Sequence, residues 1–118
     1  MADDLIVIQK AYDLTAWAVP AIGKFPRSHR FVLGERMENS LYDVLDTLIE
    51  ARYCREERAA LLRRVNIILE RFRFQVRLAK DLGCLGLKQY EHVSSLVQEV
   101  GRLAGGWEKT CKQAGRAE

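Results

Sequence analysis

The chain has few of the residues that build metal sites, disulfide frameworks or folds with many turns. Its 118 residues include three cysteines, two histidines and two prolines. Cys54, Cys84 and Cys111 lie 30 and 27 positions apart, which fits neither a disulfide framework nor a zinc site. The scarcity of proline leaves long uninterrupted segments and therefore favours helices over a β fold.

Long hydrophobic runs are absent as well. No stretch approaches the roughly 18 apolar residues of a membrane span. The opening residues, MADDLIVIQ, lack the basic start of a signal peptide. We therefore expect a reduced, cytoplasmic protein that needs no cofactor or metal. An apolar fraction of 48% and a charged fraction of 30% are typical of a globular chain large enough for its own core.

The spacing of apolar residues predicts four long helices joined by short connectors. Their expected bounds are about 4–22, 27–53, 55–82 and 87–113, and Gly83 is placed to end the third helix in a left-handed conformation. Short connectors make neighbouring helices antiparallel. We therefore expect one all-α domain over residues 1–113, an up-down four-helix bundle, followed by a frayed tail over residues 114–118.

Residues that recur every three or four positions identify the expected core. In the first helix they are Leu5, Ile8, Tyr12, Thr15, Val19 and Ile22. In the second helix they are Phe31, Met37, Leu41, Val44, Leu45 and Leu48. In the fourth helix they form a heptad seam of Tyr90, Val93, Val97, Val100, Ala104, Trp107 and Cys111.

The third helix carries apolar residues on two opposite faces. The inward stripe consists of Leu61, Leu62, Val65, Ile68, Leu69, Phe72, Val76 and Ala79. Ile67, Phe74 and Leu78 lie on the other side, where a monomeric bundle should be polar. Each large side chain left in water forfeits roughly 1.5–3 kcal/mol. We interpret these three as an oligomer interface; the alternative is that they are exposed singly and without function.

Positive charge is concentrated on the same helix. The chain has a net charge of +3, but residues 52–80 hold nine Lys/Arg against three Asp/Glu, a net of +6. Three interpretations stay open: a solvated face, ion pairs with Asp43, Asp46 and Glu50 across a subunit contact, or contacts with nucleic-acid phosphates. The candidate nucleic-acid-binding residues are Arg55, Arg58, Arg63, Arg64, Arg71, Arg73, Arg77 and Lys80, with Lys24, Arg27 and Arg30 from the first connector.

The sequence offers no catalytic constellation. His29 and His92 have no Cys, Asp or His at metal-ligand spacing, and no serine stands in a nucleophile turn. Glu35 and Glu38 share one helical turn, which is typical of a hydrated helix face. We therefore predict that the protein is not an enzyme.

Glycines interrupt the fourth helix near its predicted end. Each costs about 1 kcal/mol relative to alanine inside a helix. Gly101 and Gly105 share a face and can admit a neighbouring backbone. Alternatively, the helix breaks at Gly105-Gly106 and leaves Trp107 at the end of the bundle. Both interpretations stay open at this point.

Two stretches are more distinctive than the rest: KFPRSHRFVLGERM, residues 24–37, and YEHVSSLVQEVGRLAGGW, residues 90–107. They resemble the start of the second helix and the fourth-helix signature of the accessory variability determinant (Avd) proteins of diversity-generating retroelements. LIEARY, residues 48–53, and RLAKDL, residues 77–82, fit as well. The positions that match the signature are Tyr90, Glu91, His92, Gly101, Arg102, Gly105, Gly106 and Trp107.

That resemblance implies a homopentamer of four-helix bundles that binds a reverse transcriptase and RNA or DNA. Such a protein supports mutagenic cDNA synthesis without catalytic activity of its own. A related group of four-helix bundle proteins, encoded within intervening sequences of ribosomal RNA genes, shares the start of the second helix. The alternative function is therefore an oligomeric structural or adaptor protein without a nucleic-acid partner.

Overall fold

Four long helices make up most of the chain. The computed structural model describes the backbone of residues 2–117 and the side chains of residues 4–114. The helices are α1 (Ala2–Gly23), α2 (Glu35–Tyr53), α3 (Arg58–Asp81) and α4 (Leu87–Ala117), and residues 2–117 contain no strand. Consecutive helices pack against each other, and α4 closes against α1. The predicted four-helix bundle is confirmed, with extents of 52 × 23 × 20 Å.

A widened segment leads into α2. One helical turn, Arg27–His29, is followed by a π-helical segment, Arg30–Gly34. A π-helix adds a residue to each turn and so changes which side chains face inward. Leu33 is buried here, whereas Phe31 is 60% exposed with the Arg30 guanidinium 4.6 Å from its ring centroid. The prediction that Phe31 faces the core is wrong for this reason.

The core stripe of α1 is also displaced from the predicted one. Leu5 and Tyr12, both predicted to be inward, are 51% and 57% exposed. Because α1 is apolar on several faces, residue spacing alone does not select the inward face, and the stripe with smaller side chains packs inside. The buried apolar residues of α1 are Val7, Ala11, Leu14, Ala18 and Ile22.

The predicted core positions of the other helices are confirmed, apart from Phe31. Leu48 on α2 and Leu62, Leu69 and Phe72 on α3 are fully buried, as is Val100 on α4. Half-buried apolar side chains complete the margins of this core. Those among the predicted positions of α2, α3 and α4 are Leu45, Leu61, Tyr90, Trp107 and Cys111.

α3 ends in the left-handed cap that the sequence predicts. Gly83 has a φ of 81°, and its N–H donates to the carbonyl of Lys80 at 3.0 Å. The Cys84 N–H donates to the carbonyl of Ala79 at 2.8 Å. These two bonds form a Schellman motif, which satisfies the last carbonyls of α3 and turns the chain toward α4.

The helix α4 continues without a break through Gly105 and Gly106, so the interpretation that it ends there is wrong. Its backbone is helical through Ala117, which takes in most of the predicted tail. Glu118 lies outside the described residues, and the fraying of residues 114–118 stays a prediction.

Candidate nucleic-acid interface

One face of α3 points away from the bundle. α3 packs against α2 on one flank and against α4 on the other, so the face opposite the core meets solvent. Ile67, Phe74 and Leu78 on this face are 63%, 61% and 48% exposed. We call these three residues the α3 ridge. Their outward orientation is confirmed, and their role in an interface stays a prediction.

Cationic side chains border the α3 ridge on both sides. At 100° per residue, Arg64 and Arg71 lie toward α2, and Arg73 and Arg77 lie toward α4. All four are exposed. The 24 residues of α3 extend over roughly 36 Å, so the guanidinium groups form a band along the molecule rather than a point.

The connector between α1 and α2 extends this band at one end. Because neighbouring helices are antiparallel, Lys24, Arg27 and Arg30 lie at the end of the bundle where α3 terminates. All three side chains are exposed. Arg55, also exposed, lies at the opposite end, between α2 and α3.

The ion pairs formed by the arginines of this band are weak. Arg71 Nη2 lies 3.8 Å from Asp43 Oδ2, and Arg73 Nη1 lies 2.9 Å from Glu70 Oε2. These side chains are 41–59% exposed, and ion pairs in such positions contribute about 1 kcal/mol or less. Across residues 4–114, no ion pair is formed by Arg63, Arg64 or Arg77. These guanidinium groups are therefore available to an external anion.

Two of the predicted cations have structural partners. Arg58 Nε donates to the carbonyl of Ala51 at 2.6 Å, and its Nη2 donates to that of Arg52 at 2.8 Å. The Arg58 guanidinium also lies 5.5 Å from the ring centroid of Trp107.

Lys80 is similarly engaged at the other end of α3. Its Nζ lies 4.6 Å from the ring centroid of Tyr90 and 3.8 Å from Asp81 Oδ1. We expect Arg58 and Lys80 to contribute less to anion binding than the exposed arginines do.

A second apolar surface, which the sequence reasoning missed, runs along α1 and α2. Asp4 Oδ2 lies 3.9 Å from Arg52 Nε, which places the start of α1 beside the end of α2. Five exposed apolar residues of these helices lie on the flanks that adjoin this contact. They are Leu5, Tyr12, Tyr42, Ile49 and Tyr53, and we call them the α1/α2 apolar surface.

Residues of that surface have the same spacing as residues of the α3 ridge. Leu5 and Tyr12 are seven residues apart, as are Tyr42 and Ile49. Ile67 and Phe74 on the α3 ridge have the same separation. Seven residues are about two helical turns, so each pair lies on one line along its helix.

Metal-ligating side chains are dispersed over the part of the chain that the structure describes. Across residues 4–114, no three His, Cys, Asp or Glu side chains are close enough together to hold a metal ion. Burial raises the pKa of the Cys84 and Cys111 thiols, the opposite of what a reactive thiolate needs. A hydrogen bond from Arg102 lowers the pKa of Glu99, which is an ordinary surface pair.

Within residues 2–117, no helix combines the length and the hydropathy that crossing a lipid bilayer requires.

Comparison with known proteins identifies one family and one similar fold. A family model described as bAvd-like matches residues 5–111. No curated protein matches the chain. Among solved structures, a protein of unknown function from the S23 ribosomal protein family of Bacteroides thetaiotaomicron has a TM-score of 0.83 and 16% sequence identity, covering 91% of this chain and 98% of that one. At this identity, the likeness shows the fold alone.

Proposed function

Because the chain belongs to the bAvd-like family, we propose that it is a non-catalytic accessory factor of a diversity-generating retroelement that binds nucleic acid and a reverse transcriptase. Family membership supports an accessory role. The observation that carries the nucleic-acid part is the charge of +6 on residues 52–80, most of which form α3, a helix with one face in solvent.

Phosphate groups are the anions that best match this band. Arginine presents a planar set of donors that suits phosphate oxygens, and several arginines spaced along a helix can follow a polyanion. A single ion pair on an exposed surface is weak, but the contributions of several phosphate contacts add and depend steeply on salt.

Neutralising the band tests this proposal. A variant with Arg63, Arg64, Arg71, Arg73 and Arg77 changed to Gln should bind a fluorescent single-stranded oligonucleotide at least about tenfold more weakly at low salt. The slope of log affinity against log salt should fall by about 0.7 for each phosphate that the variant no longer neutralises. Fluorescence anisotropy at several salt concentrations measures both quantities.

A matched control removes the same charge elsewhere. Changing five cations outside α3 to Gln leaves the band intact and should preserve most of the affinity and the slope. They are Lys10, Lys88, Arg102, Lys109 and Lys112. Equal losses in the two variants would mean that only net charge matters. Unchanged binding by the first variant would favour a structural or adaptor oligomer without a nucleic-acid partner.

We further propose that the protein assembles into a ring, with five subunits expected from the family. The α3 ridge and the α1/α2 apolar surface are different surfaces of one subunit. Contact between two different surfaces is heterologous, and repeated contacts of this kind close into a ring when the rotation between subunits permits. Burying both surfaces would also remove from water the apolar side chains that a lone subunit exposes.

Complementary variants test this arrangement. Phe74→Glu damages the ridge, and Ile49→Glu damages the α1/α2 apolar surface. Each variant should be monomeric alone by light scattering, because ring closure needs both surfaces. Mixed together, they should form a dimer, since each supplies the surface that is damaged in the other.

Two other outcomes would contradict the arrangement. If Ile49→Glu leaves the assembly of the wild type unchanged, the ridge contacts itself or another surface. If the wild-type protein is monomeric at micromolar concentration, there is no ring.

The transcriptase contact is tested by co-purification. The tagged protein should retain a reverse transcriptase encoded by an adjacent gene, and retention should survive nuclease treatment if the contact is between proteins. Loss of the transcriptase after nuclease treatment would mean that nucleic acid alone joins the two. The absence of any such gene nearby would count against the accessory role.

A further inference from the structure

A polar notch lies between α2 and α3, beside the α3 ridge. It has a volume of about 240 Å³. The residues that line it are all polar or charged, whereas apolar residues join the two helices elsewhere. The lining residues are Arg36, Asn39, Ser40 and Asp43 from α2, with Arg71 and Gln75 from α3.

Hydrogen-bond donors dominate this notch. The Ser40 hydroxyl donates to Gln75 Oε1 at 3.0 Å and also lies 3.1 Å from the carbonyl oxygen of Arg36. Gln75 Oε1 is therefore occupied, and the Gln75 amide N–H groups have no partner in the part of the chain that the structure describes. The same holds for the side chains of Arg36 and Asn39. Two guanidinium groups and two amides thus face one small space.

One acidic side chain opposes them. The Asp43 carboxylate lies 3.8 Å from the Arg71 guanidinium, and these side chains are 53% and 55% exposed. An exposed pair at this distance is weak, so Arg71 can exchange Asp43 for a stronger anion. Excess donors beside a loosely paired arginine suit an oxygen-rich anion, and phosphate offers several acceptor oxygens to such a set.

We propose that this notch binds one phosphate group of the nucleic-acid strand, with Arg36 and Arg71 as the charged ligands and Asn39 and Gln75 as amide donors. The proposal rests on the proposed function and adds a defined subsite to it. Arg36 belongs to α2 and lies outside the cationic segment of residues 52–80, so it is a binding residue that charge counting along the sequence does not find.

Arg36→Gln is the first test. The variant should bind a fluorescent single-stranded oligonucleotide about fivefold more weakly, and its salt slope should fall by about 0.7. Lys10→Gln is the matched control, since it removes one charge from the exposed surface of α1, which is not a neighbour of α3. It should change affinity by less than about twofold. Equal effects in the two variants would overturn the subsite.

Asp43→Asn supplies a test of opposite sign. It removes repulsion of the phosphate and releases Arg71, so affinity should rise by about twofold to fivefold. A decrease would mean that the carboxylate itself contacts the strand, as it would if the notch read the amino group of a base. That result would overturn the phosphate assignment.

Side-chain amide signals separate a strand phosphate from free phosphate. In nitrogen-15 spectra, the Asn39 and Gln75 side-chain amides should shift when the oligonucleotide is added. Inorganic phosphate at matched ionic strength should shift them only at much higher concentration. Amide signals that the oligonucleotide does not move would overturn the subsite, and so would equal sensitivity to sodium chloride.

Failure of the subsite and failure of the proposed function give different results. If the variant without the five α3 arginines loses affinity while Arg36→Gln matches Lys10→Gln, the α3 band binds nucleic acid and the notch does not. If the wild-type protein does not bind the oligonucleotide, both proposals are wrong.

Discussion

Phe72 and Phe74 are the same residue type two positions apart on α3, yet their surroundings are opposite. Phe72 is 0% exposed in the bundle core, and Phe74 is 61% exposed on the α3 ridge. Two residues turn a helix by about 200°, which carries the second ring to the far side. The alternating stretch RFRFQVR is thus the overlap of an inward stripe and an outward ridge, with arginines at the margins.

The arginines of α3 show the same contrast. Arg58 is half-buried and donates to two carbonyls at the end of α2. Arg63 is exposed and forms no ion pair within residues 4–114. The two residues add equally to the charge of the segment, but the first stabilises the fold and the second is free for a partner. Charge along a sequence is therefore an upper bound on the charge that an interface can use.

The largest effect is expected from truncating the inward ring. Phe72→Ala should lower the free energy of unfolding by about 3–5 kcal/mol, because it removes buried apolar area and leaves a cavity. Phe74→Ala should change the stability of the isolated subunit by less than about 0.5 kcal/mol. Urea unfolding at fixed protein concentration compares the two, since assembly would otherwise add a concentration-dependent term.

The dependence of these stability losses on protein concentration shows where the Phe74 ring is packed. If Phe74→Ala costs as much as Phe72→Ala at every protein concentration, the outer ring is packed within its own subunit, and the ridge is not a free surface. If its cost grows with protein concentration, the ring is buried between subunits.

Much of this fold can be predicted from the sequence. The inward stripe of α3 and the seam of α4 follow from residue spacing, because each helix has one face that is clearly more apolar than the others. Gly83 follows from its place after the last periodic residue of α3, where only a left-handed residue completes the cap. The outward position of Ile67, Phe74 and Leu78 follows from the same 100° rotation.

The remaining features of the fold and the site depend on tertiary packing, which residue spacing does not specify. On α1, two apolar stripes compete, and the choice between Leu5 and Val7 is made by packing against the other helices. Phe31 lies in the π-helical segment, where the usual period does not apply. The polar notch brings Arg36 and Arg71 together from two helices, and their proximity depends on how α2 and α3 are aligned.

Removing the inward arginine should have the next largest effect. Arg58→Ala leaves the carbonyls of Ala51 and Arg52 without their donor and should lower the free energy of unfolding by about 1–2 kcal/mol. Arg63→Ala removes the same charge and should lie within about 0.5 kcal/mol of the wild type. Urea unfolding measures both. Equal losses of stability in the two variants would show that the hydrogen bonds of Arg58 add nothing beyond the effect of its charge.

The smallest effect concerns the flank of α3 that faces α4. A Cβ added to Gly101 would lie 2.9 Å from Arg73 Nη2, so alanine at this position must displace that guanidinium. Displacement costs little, because Arg73 is long and exposed and its pair with Glu70 contributes at most about 0.5 kcal/mol. Alanine favours the helix by about 1 kcal/mol over glycine. Gly101→Ala should therefore stabilise the subunit by about 0.5 kcal/mol.

Gly34 is the contrasting site for that substitution. A Cβ there would also meet an atom at 2.9 Å, but this atom is Cγ2 of the buried, branched Ile22. Overpacking a core typically costs about 1–3 kcal/mol, so Gly34→Ala should destabilise the protein. If the mobility of the displaced side chain decides the outcome, urea unfolding should show a gain in stability for Gly101→Ala and a loss for Gly34→Ala. A loss of stability at Gly101 as well would mean that Arg73 is held in place, and that its pairing with an external phosphate would first require breaking an intramolecular contact.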